Sequence, residues 1–318
     1  MCDDRLSRRD FVRTSASCAA HVGLMSVFPF ARGRAAWSAQ ERFPVVSRAP
    51  WGRIERVADG IWALVSTPLE DRTTLCNGGI VAGRNGVVVV EAFGSNEGAL
   101  WMAEEATRLV GRPPTHVVLT HYHGDHTGGL RGARATGAPA VLATGSTRDA
   151  IRATRDAPVE ILDRVTVLDH IRPTEIDLGD RSLIVVPRRG HTASDVTIEV
   201  TDPAVVFCGD LVWNGMFPNY VDASPSRLSQ AVRLLRAGSA STFVPGHGAL
   251  AGPEDVDRYI DLLDDVEAAA RRAMERGLTA EEAGAEYRLP AGMAQWVLFN
   301  PAYFERAIGA WMAEFRNP

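Results

Sequence analysis

Four side chains able to bind a metal ion, His121, His123, Asp125 and His126, fall within six residues in the stretch LTHYHGDHTGG from Leu119 to Gly129. They follow the apolar run Val117, Val118 and Leu119, which puts a polar cluster at the end of an expected buried strand. A lone histidine is more often a satisfied core or surface residue than a ligand, but four donors this close reverse that reading. If the chain is still extended, the alternation His121-Tyr122-His123 points both imidazoles the same way. Gly124 then lets the chain turn sharply, so that Asp125 and His126 come back alongside. That geometry could serve two metals rather than one.

Three further positions repeat one pattern, a polar residue in a glycine-rich turn after an apolar strand: Gly190-His191-Thr192, Gly209-Asp210-Leu211 and Gly246-His247-Gly248. Alone, Asp210 reads more readily as a helix cap and His247 as a turn residue than as ligands. Polar residues just past strand ends gather along one edge of a sheet, where loops build sites on a rigid scaffold. The motifs HYHGDH, GHT, CGDL and PGHG resemble, in order and separation, those of the metallo-beta-lactamase superfamily, over about Arg53 to Gly248. The resemblance implies a four-layer αββα sandwich, an α/β (α+β) fold, with a two-metal site. His121, His123 and His191 would hold the first metal, Asp125, His126 and His247 the second, and Asp210 would bridge them.

The residue chemistry agrees with that implication. Nitrogen and carboxylate donors suit zinc, while iron and manganese accept the same set. Two divalent cations lower the pKa of a bridging water and polarise a carbonyl, so the expected reaction is hydrolysis of an ester, thioester or lactone by a metal-bridging hydroxide. Asp125 can both ligate and assist proton transfer, which makes it the expected catalytic residue. Asp210 stands where one subclass of zinc beta-lactamases has cysteine, and Cys208 lies two residues too early to replace it. The resemblance therefore points to the glyoxalase II-like branch. Alternatives are a beta-lactamase, an oxidoreductase resembling the mononuclear iron persulfide dioxygenases, and a binding protein that keeps the scaffold.

Around the ligands, Thr192, Ser194 and Asp195 are candidates to hold His191, with Asp195 equally readable as a turn or surface carboxylate. Trp213, Met216, Phe217 and Tyr220 are expected to contact a small-molecule substrate through an apolar wall, the other reading being that they pack their loop onto the core. Trp296, Phe299, Tyr303, Phe304 and Trp311 are expected to glue C-terminal helices to the sandwich or to a second subunit, leaving an oligomer open. Arg288 and Arg306 are the cations available for a glutathione pocket, or plain helix-surface charges.

The elements that must position these residues follow from periodicity and turn signals. Hairpins are expected at Arg53 to Val57 with Ile61 to Ser66, across Asp59-Gly60, and at Gly79 to Ala82 with Val87 to Glu91. The unbroken Val87 to Val90 demands cover on both faces. Pro68 to Asn77 reads as a polar loop of the kind that overhangs sites. Helical spacing covers Asn96 to Val110 and stops at Gly111-Arg112-Pro113-Pro114, and Thr127-Gly128-Gly129 is expected to open another helix. Strands at Ala140 to Ala143, Glu175 to Leu178, Ser182 to Val186, Val196 to Val200, Ala204 to Phe207 and Thr242 to Val244 complete two mixed sheets. Helices over Pro253 to Arg276, Thr279 to Tyr287 and Ala302 to Phe315 close the chain. The expected division is a catalytic domain over 40–252 and a helical extension over 253–318.

The 318 residues, 46% hydrophobic and 23% charged, describe an ordinary globular protein. A net charge of −5 gives no basic footprint for nucleic acid, and no apolar run is long enough for stable membrane insertion. Ser7-Arg8-Arg9-Asp10-Phe11, a weakly apolar stretch and then Arg32 and Arg34 resemble a twin-arginine signal over residues 1–39. That resemblance implies the twin-arginine export machinery as a partner and a periplasmic or extracellular location. Beyond it only Cys76 and Cys208 remain, readable as a disulfide or as two buried thiols.

Overall fold

The valine run shows how the sequence dictates the layers. In the computed structural model, which describes residues 41–67 and 73–317, Val87–Val90 is a strand with every side chain buried. Val87 and Val89 join one apolar cluster, Val88 and Val90 another. Successive side chains of a strand point to opposite faces, so a strand without a polar position must lie between two covering layers.

That strand is the fifth of eight in the first sheet: β1 (Val45–Ala49), β2 (Gly52–Ala58), β3 (Ile61–Ser66), β4 (Gly78–Ala82), β5 (Val87–Val90), β6 (His116–Val118), β7 (Ala140–Thr144) and β8 (Thr166–Leu168), adjacent in chain order. From β1 to β5 the pairing is antiparallel, and from β5 to β8 it is parallel. Parallel neighbours need crossovers. These are supplied by helix α1 (Asn96–Val110) with the single turns α2 (Gly124–Thr127) and α3 (Leu130–Ala133), and then by α4 (Gly145–Arg152) and α5 (Val159–Leu162).

The second sheet runs β13-β12-β11-β10-β9, built from β9 (Thr174–Asp177), β10 (Ser182–Arg188), β11 (Asp195–Val200), β12 (Val205–Asn214) and β13 (Thr242–Gly248). It is an antiparallel meander until α6 (Pro225–Ala237) carries the chain over to a parallel β13. Helices α7 (Pro253–Glu275), α8 (Ala280–Glu286) and α9 (Ala302–Arg316) finish the described chain.

Three apolar clusters separate four layers. One lies between α1 and the first sheet and includes Met102, Ala106, Ile80 and Val117. The second lies between the sheets, where Val65 and Val81 share a cluster with Ile198 and Phe207. The third joins Val206 and Trp213 of β12 to Tyr259, Leu263 and Trp311 of the C-terminal helices. The result is the expected αββα arrangement.

Local differences have local causes. Helix α1 spans the expected residues because Ser95 caps it, accepting from Gly98 N at 3.1 Å, and Gly111 ends it in the left-handed region at φ 83°. The helix expected after Thr127 is instead two isolated turns, α2 beginning earlier at Gly124. Strands β1 and β8 and the turn α5 carry too short a periodic signal to be anticipated. Cys76 and Cys208 are both buried and free. The twin-arginine segment and residues 68–72 of the polar loop lie outside the described residues.

Candidate metal centre

The candidate ligand residues come from both sheets. His121, His123, Asp125 and His126 follow β6 in the first, and the last two ride on α2. His191 follows β10 in the second. Asp210 and His247 were expected in turns past strand ends, but they lie inside β12 and β13, which run on as parallel neighbours. The ladder between them is irregular around Gly209, and that break turns polar side chains inward. Glycine is required here. Gly209 has φ +52°, and a Cβ on it would stand 2.6 Å from Thr120 Oγ1; a Cβ on Gly246 would stand 1.9 Å from Asp210 Oδ1.

Among the described residues, two four-residue donor groups share Asp210: His121, His123, His191 and Asp210, and Asp125, His126, His247 and Asp210; a third group joins Glu91, His121 and His126. In the first, His123 Nδ1 lies 3.1 Å from His121 Nε2 and 2.9 Å from His191 Nε2. Asp210 Oδ2 is 3.3 Å from His191 Nε2 and 4.0 Å from His121 Nε2. In the second, Asp210 Oδ1 is 3.1 Å from His126 Nε2 and 3.3 Å from His247 Nε2, while Asp125 Oδ2 is 3.2 Å from His247 Nε2 and 3.6 Å from His126 Nε2. The two oxygens of Asp210 thus face different groups.

Donor chemistry fits a divalent cation. His126 Nε2, His247 Nε2 and Asp210 Oδ1 are buried and converge without a hydrogen bond of acceptable geometry. Buried polar atoms are nearly always satisfied, so such a convergence marks a place where a cation belongs. Burial holds His121 well below the usual histidine range and His191 down to about 3, the neighbouring imidazoles adding to the effect. On His247, burial opposes charge, but the carboxylates of Asp210 and Asp125 override it and lift the group to about 9. His126 is raised in the same way, against burial, by Cys76, Asp210 and Glu91. Burial likewise works against ionised Asp125 and Asp210, and the surrounding imidazoles outweigh it, so both are held below the carboxylate range.

Several supporting residues escaped the sequence reading. Asp222 Oδ2 accepts from Tyr122 Oη at 2.6 Å and lies 2.8 Å from His123 Nε2. Glu91, in positive φ at 78°, accepts from Thr120 Oγ1 and lies 3.0 Å from His126 Nδ1. Thr120 Oγ1 is also 2.9 Å from His121 Nδ1. Asn77 spans the sheets: its Oδ1 accepts from Ser66 N at 2.8 Å, and its Nδ2 donates to Pro245 O at 3.0 Å and Gly248 O at 2.7 Å, on either side of His247. An acid directly after four valines was a readable signal for Glu91; Asp222 and Asn77 carry none.

Of the candidates around His191, Asp195 and Thr192 hold its turn. Asp195 is buried, not a surface carboxylate, and accepts from His191 N, Thr192 N and Thr192 Oγ1 at 3.0, 3.0 and 2.7 Å. Ser194 instead bonds Thr144 Oγ1 at 2.6 Å.

The expected substrate wall needs correction. Met216 and Phe217 are 0% exposed and Trp213 and Tyr220 3%, all within the cluster shared with the C-terminal helices. Phe217 packs on Phe304 at 4.7 Å and Tyr287 at 6.2 Å between ring centroids. Residues this buried present no surface to a substrate. Trp213 lies against the His247 ring at 4.1 Å and backs that ligand. Trp296, Phe299, Tyr303 and Trp311 are buried in the same cluster, with Phe304 packed against it. Arg288 donates to Ala285 O and Tyr287 O, and Arg306 to Asn219 Oδ1, so both serve loop and helix ends.

Comparison with known proteins agrees with the geometry. The family described as the metallo-beta-lactamase superfamily matches residues 72–247, more than half of the chain. A hydroxyacylglutathione hydrolase of Cereibacter sphaeroides is 30% identical, over 58% of this chain and 66% of its own length. One from Rhodospirillum rubrum is 28% identical, over 44% and 50%. The human acyl-coenzyme A thioesterase MBLAC2 is 28% identical, over 48% and 63%. The chain thus spans between half and two thirds of the length of these curated relatives. Among solved structures, a metallo-beta-lactamase of Erythrobacter litoralis has a TM-score of 0.55 at 20% identity, covering 70% of this chain and 100% of its own, a likeness of fold.

Proposed function

This chain belongs to the metallo-beta-lactamase superfamily, and from that premise we propose that it is a dinuclear metal-dependent hydrolase of ester, thioester or lactone bonds. The observation that carries the reading is the division of Asp210, one oxygen toward each histidine group. His121, His123 and His191 would hold the first ion and Asp125, His126 and His247 the second, with zinc the ion that the donors suit best. When bound, such ions polarise a carbonyl and make water a stronger nucleophile near neutral pH. Asp125 has a side chain 30% exposed, the most open of the ligands, and its carboxylate can orient an attacking water and take its proton. The other ligands are nearly sealed from solvent, which keeps them fixed and dry.

The names of the relatives favour thioesters within this class. The test is a panel of thioesters, lactones, simple esters, beta-lactams, phosphoesters and sulfate esters, assayed with metal-replete protein and with Asp125→Ala. Thioester or lactone turnover, lost in the variant, is the expected result; turnover unchanged in Asp125→Ala counts against the mechanism. Export by the twin-arginine route is part of the proposal, supported by Arg8, Arg9 and Phe11. Replacing both arginines by lysine should retain the protein in the cytoplasm on cell fractionation.

A further inference from the structure

We infer that Asp222 is a positioning residue that fixes the His123 ring for the first cation. The inference rests on the metal centre proposed above. His123 Nδ1 lies within the first group, 3.1 Å from His121 Nε2 and 2.9 Å from His191 Nε2. Its Nε2 faces the other way, 2.8 Å from Asp222 Oδ2. An ionised carboxylate only accepts, so the ring proton belongs on Nε2 and the lone pair on Nδ1 is left for a metal. The same oxygen accepts from Tyr122 Oη at 2.6 Å, the residue between the two histidines of the motif. Tyr122 therefore braces the carboxylate that braces His123. By contrast, the outer nitrogens of His191 and His247 are buried without a partner.

Asp222 sits on a short connection from β12 to α6 that is itself anchored. Ser224 N donates to Gly190 O at 2.9 Å, beside His191. Asn219 Oδ1 accepts from Val221 N at 3.2 Å and from Arg306 Nη1 of α9 at 3.4 Å. One loop thus touches His123, the residue before His191 and the C-terminal helix. A carboxylate behind a metal-bound histidine fixes its tautomer and raises its basicity, and removing such a partner costs about 10–100-fold in metal affinity.

The experiment titrates the metal-free full chain with zinc against a chelating competitor, for wild type, Asp222→Ala and the isosteric Asp222→Asn. Long-range proton–nitrogen NMR reads the imidazole tautomers in parallel. One of two ions should bind about 10–100-fold more weakly in Asp222→Ala and by a smaller factor in Asp222→Asn, which keeps an acceptor without its charge. The Nε2–H form of His123 should be lost in the alanine variant, while metal-free melting stays at the wild-type value. Wild-type zinc affinity in both variants overturns the inference and leaves the metal centre standing. So does an equal loss for both ions together with lowered metal-free melting, which would make Asp222 a scaffold residue. A wild-type chain that takes up no zinc overturns the metal reading, and the inference with it.

Discussion

Protons and metal ions compete for the same nitrogen atoms, and the two donor groups meet that competition differently. Burial keeps His121 and His191 neutral at working pH, His191 down to about 3, so the first group can accept a cation without shedding protons from them. The carboxylates that raise His247 to about 9 hold a proton on it in the metal-free protein, and a cation must displace that proton. Zinc affinity at the second group should therefore rise between pH 6 and 9, with proton release from His247, more steeply than at the group that holds His121 and His191. Calorimetry in buffers of different ionisation enthalpy measures this, and equal pH dependence at both groups would contradict it. The linkage has a second face. His247 is raised above its ordinary 6.5, so in the metal-free fold it stabilises fully below that value and the contribution is lost as pH rises through about 9.

At the scale of elements, the loop after Asp210 separates a packing role from a binding role. Phe217 is fully buried against Phe304 and Tyr287, so Phe217→Ala should cost about 3–5 kcal/mol of stability, as emptied aromatic core sites do. Chemical denaturation would show it; unchanged stability with a raised KM would return Phe217 to the substrate. The sequence could not decide this, because aromatics beside a ligand have the same pattern whether they face a cleft or a helix. What periodicity did carry was the layering: the valine run of β5 and the bounds of α1 were legible from residue pattern alone. The seven candidate ligand positions were legible too, four of them clustered within six residues after an apolar run and the other three each directly after a glycine, in Gly190-His191, Gly209-Asp210 and Gly246-His247. That β12 and β13 continue through Asp210 and His247 was not, because Gly209 and Gly246 read as strand ends. The positive φ of Gly209 and the close approach of Thr120 to it, and of the Asp210 carboxylate and the Gly209 backbone to Gly246, explain glycine there. Asp222 was invisible for a plainer reason: its partner His123 is 99 residues away, and nothing near it in the chain signals the contact.

On the scale of the whole molecule, the centre exists only where the sheets meet. The motif after β6 supplies four candidate ligands from the first sheet, and the second supplies His191 after β10, Asp210 within β12 and His247 within β13. Asn77 ties the two together by bonding both sides of His247 from the first sheet. Among the described residues no local segment holds a complete donor group, so a metal loaded at this centre would be coupled to folding. The C-terminal helices share one apolar cluster with β12, and Trp213 and Phe299 carry that packing up to the His247 ring. Asp210 joins the two halves of this assembly. The most direct measurement is elemental analysis of purified wild type and Asp210→Ala, read beside hydrolysis by the same samples. Two divalent ions per wild-type chain, at most one in Asp210→Ala, and loss of turnover in the variant are the expected results. Two ions retained by Asp210→Ala, or undiminished hydrolysis by a chain stripped of metal, would contradict a shared dinuclear centre.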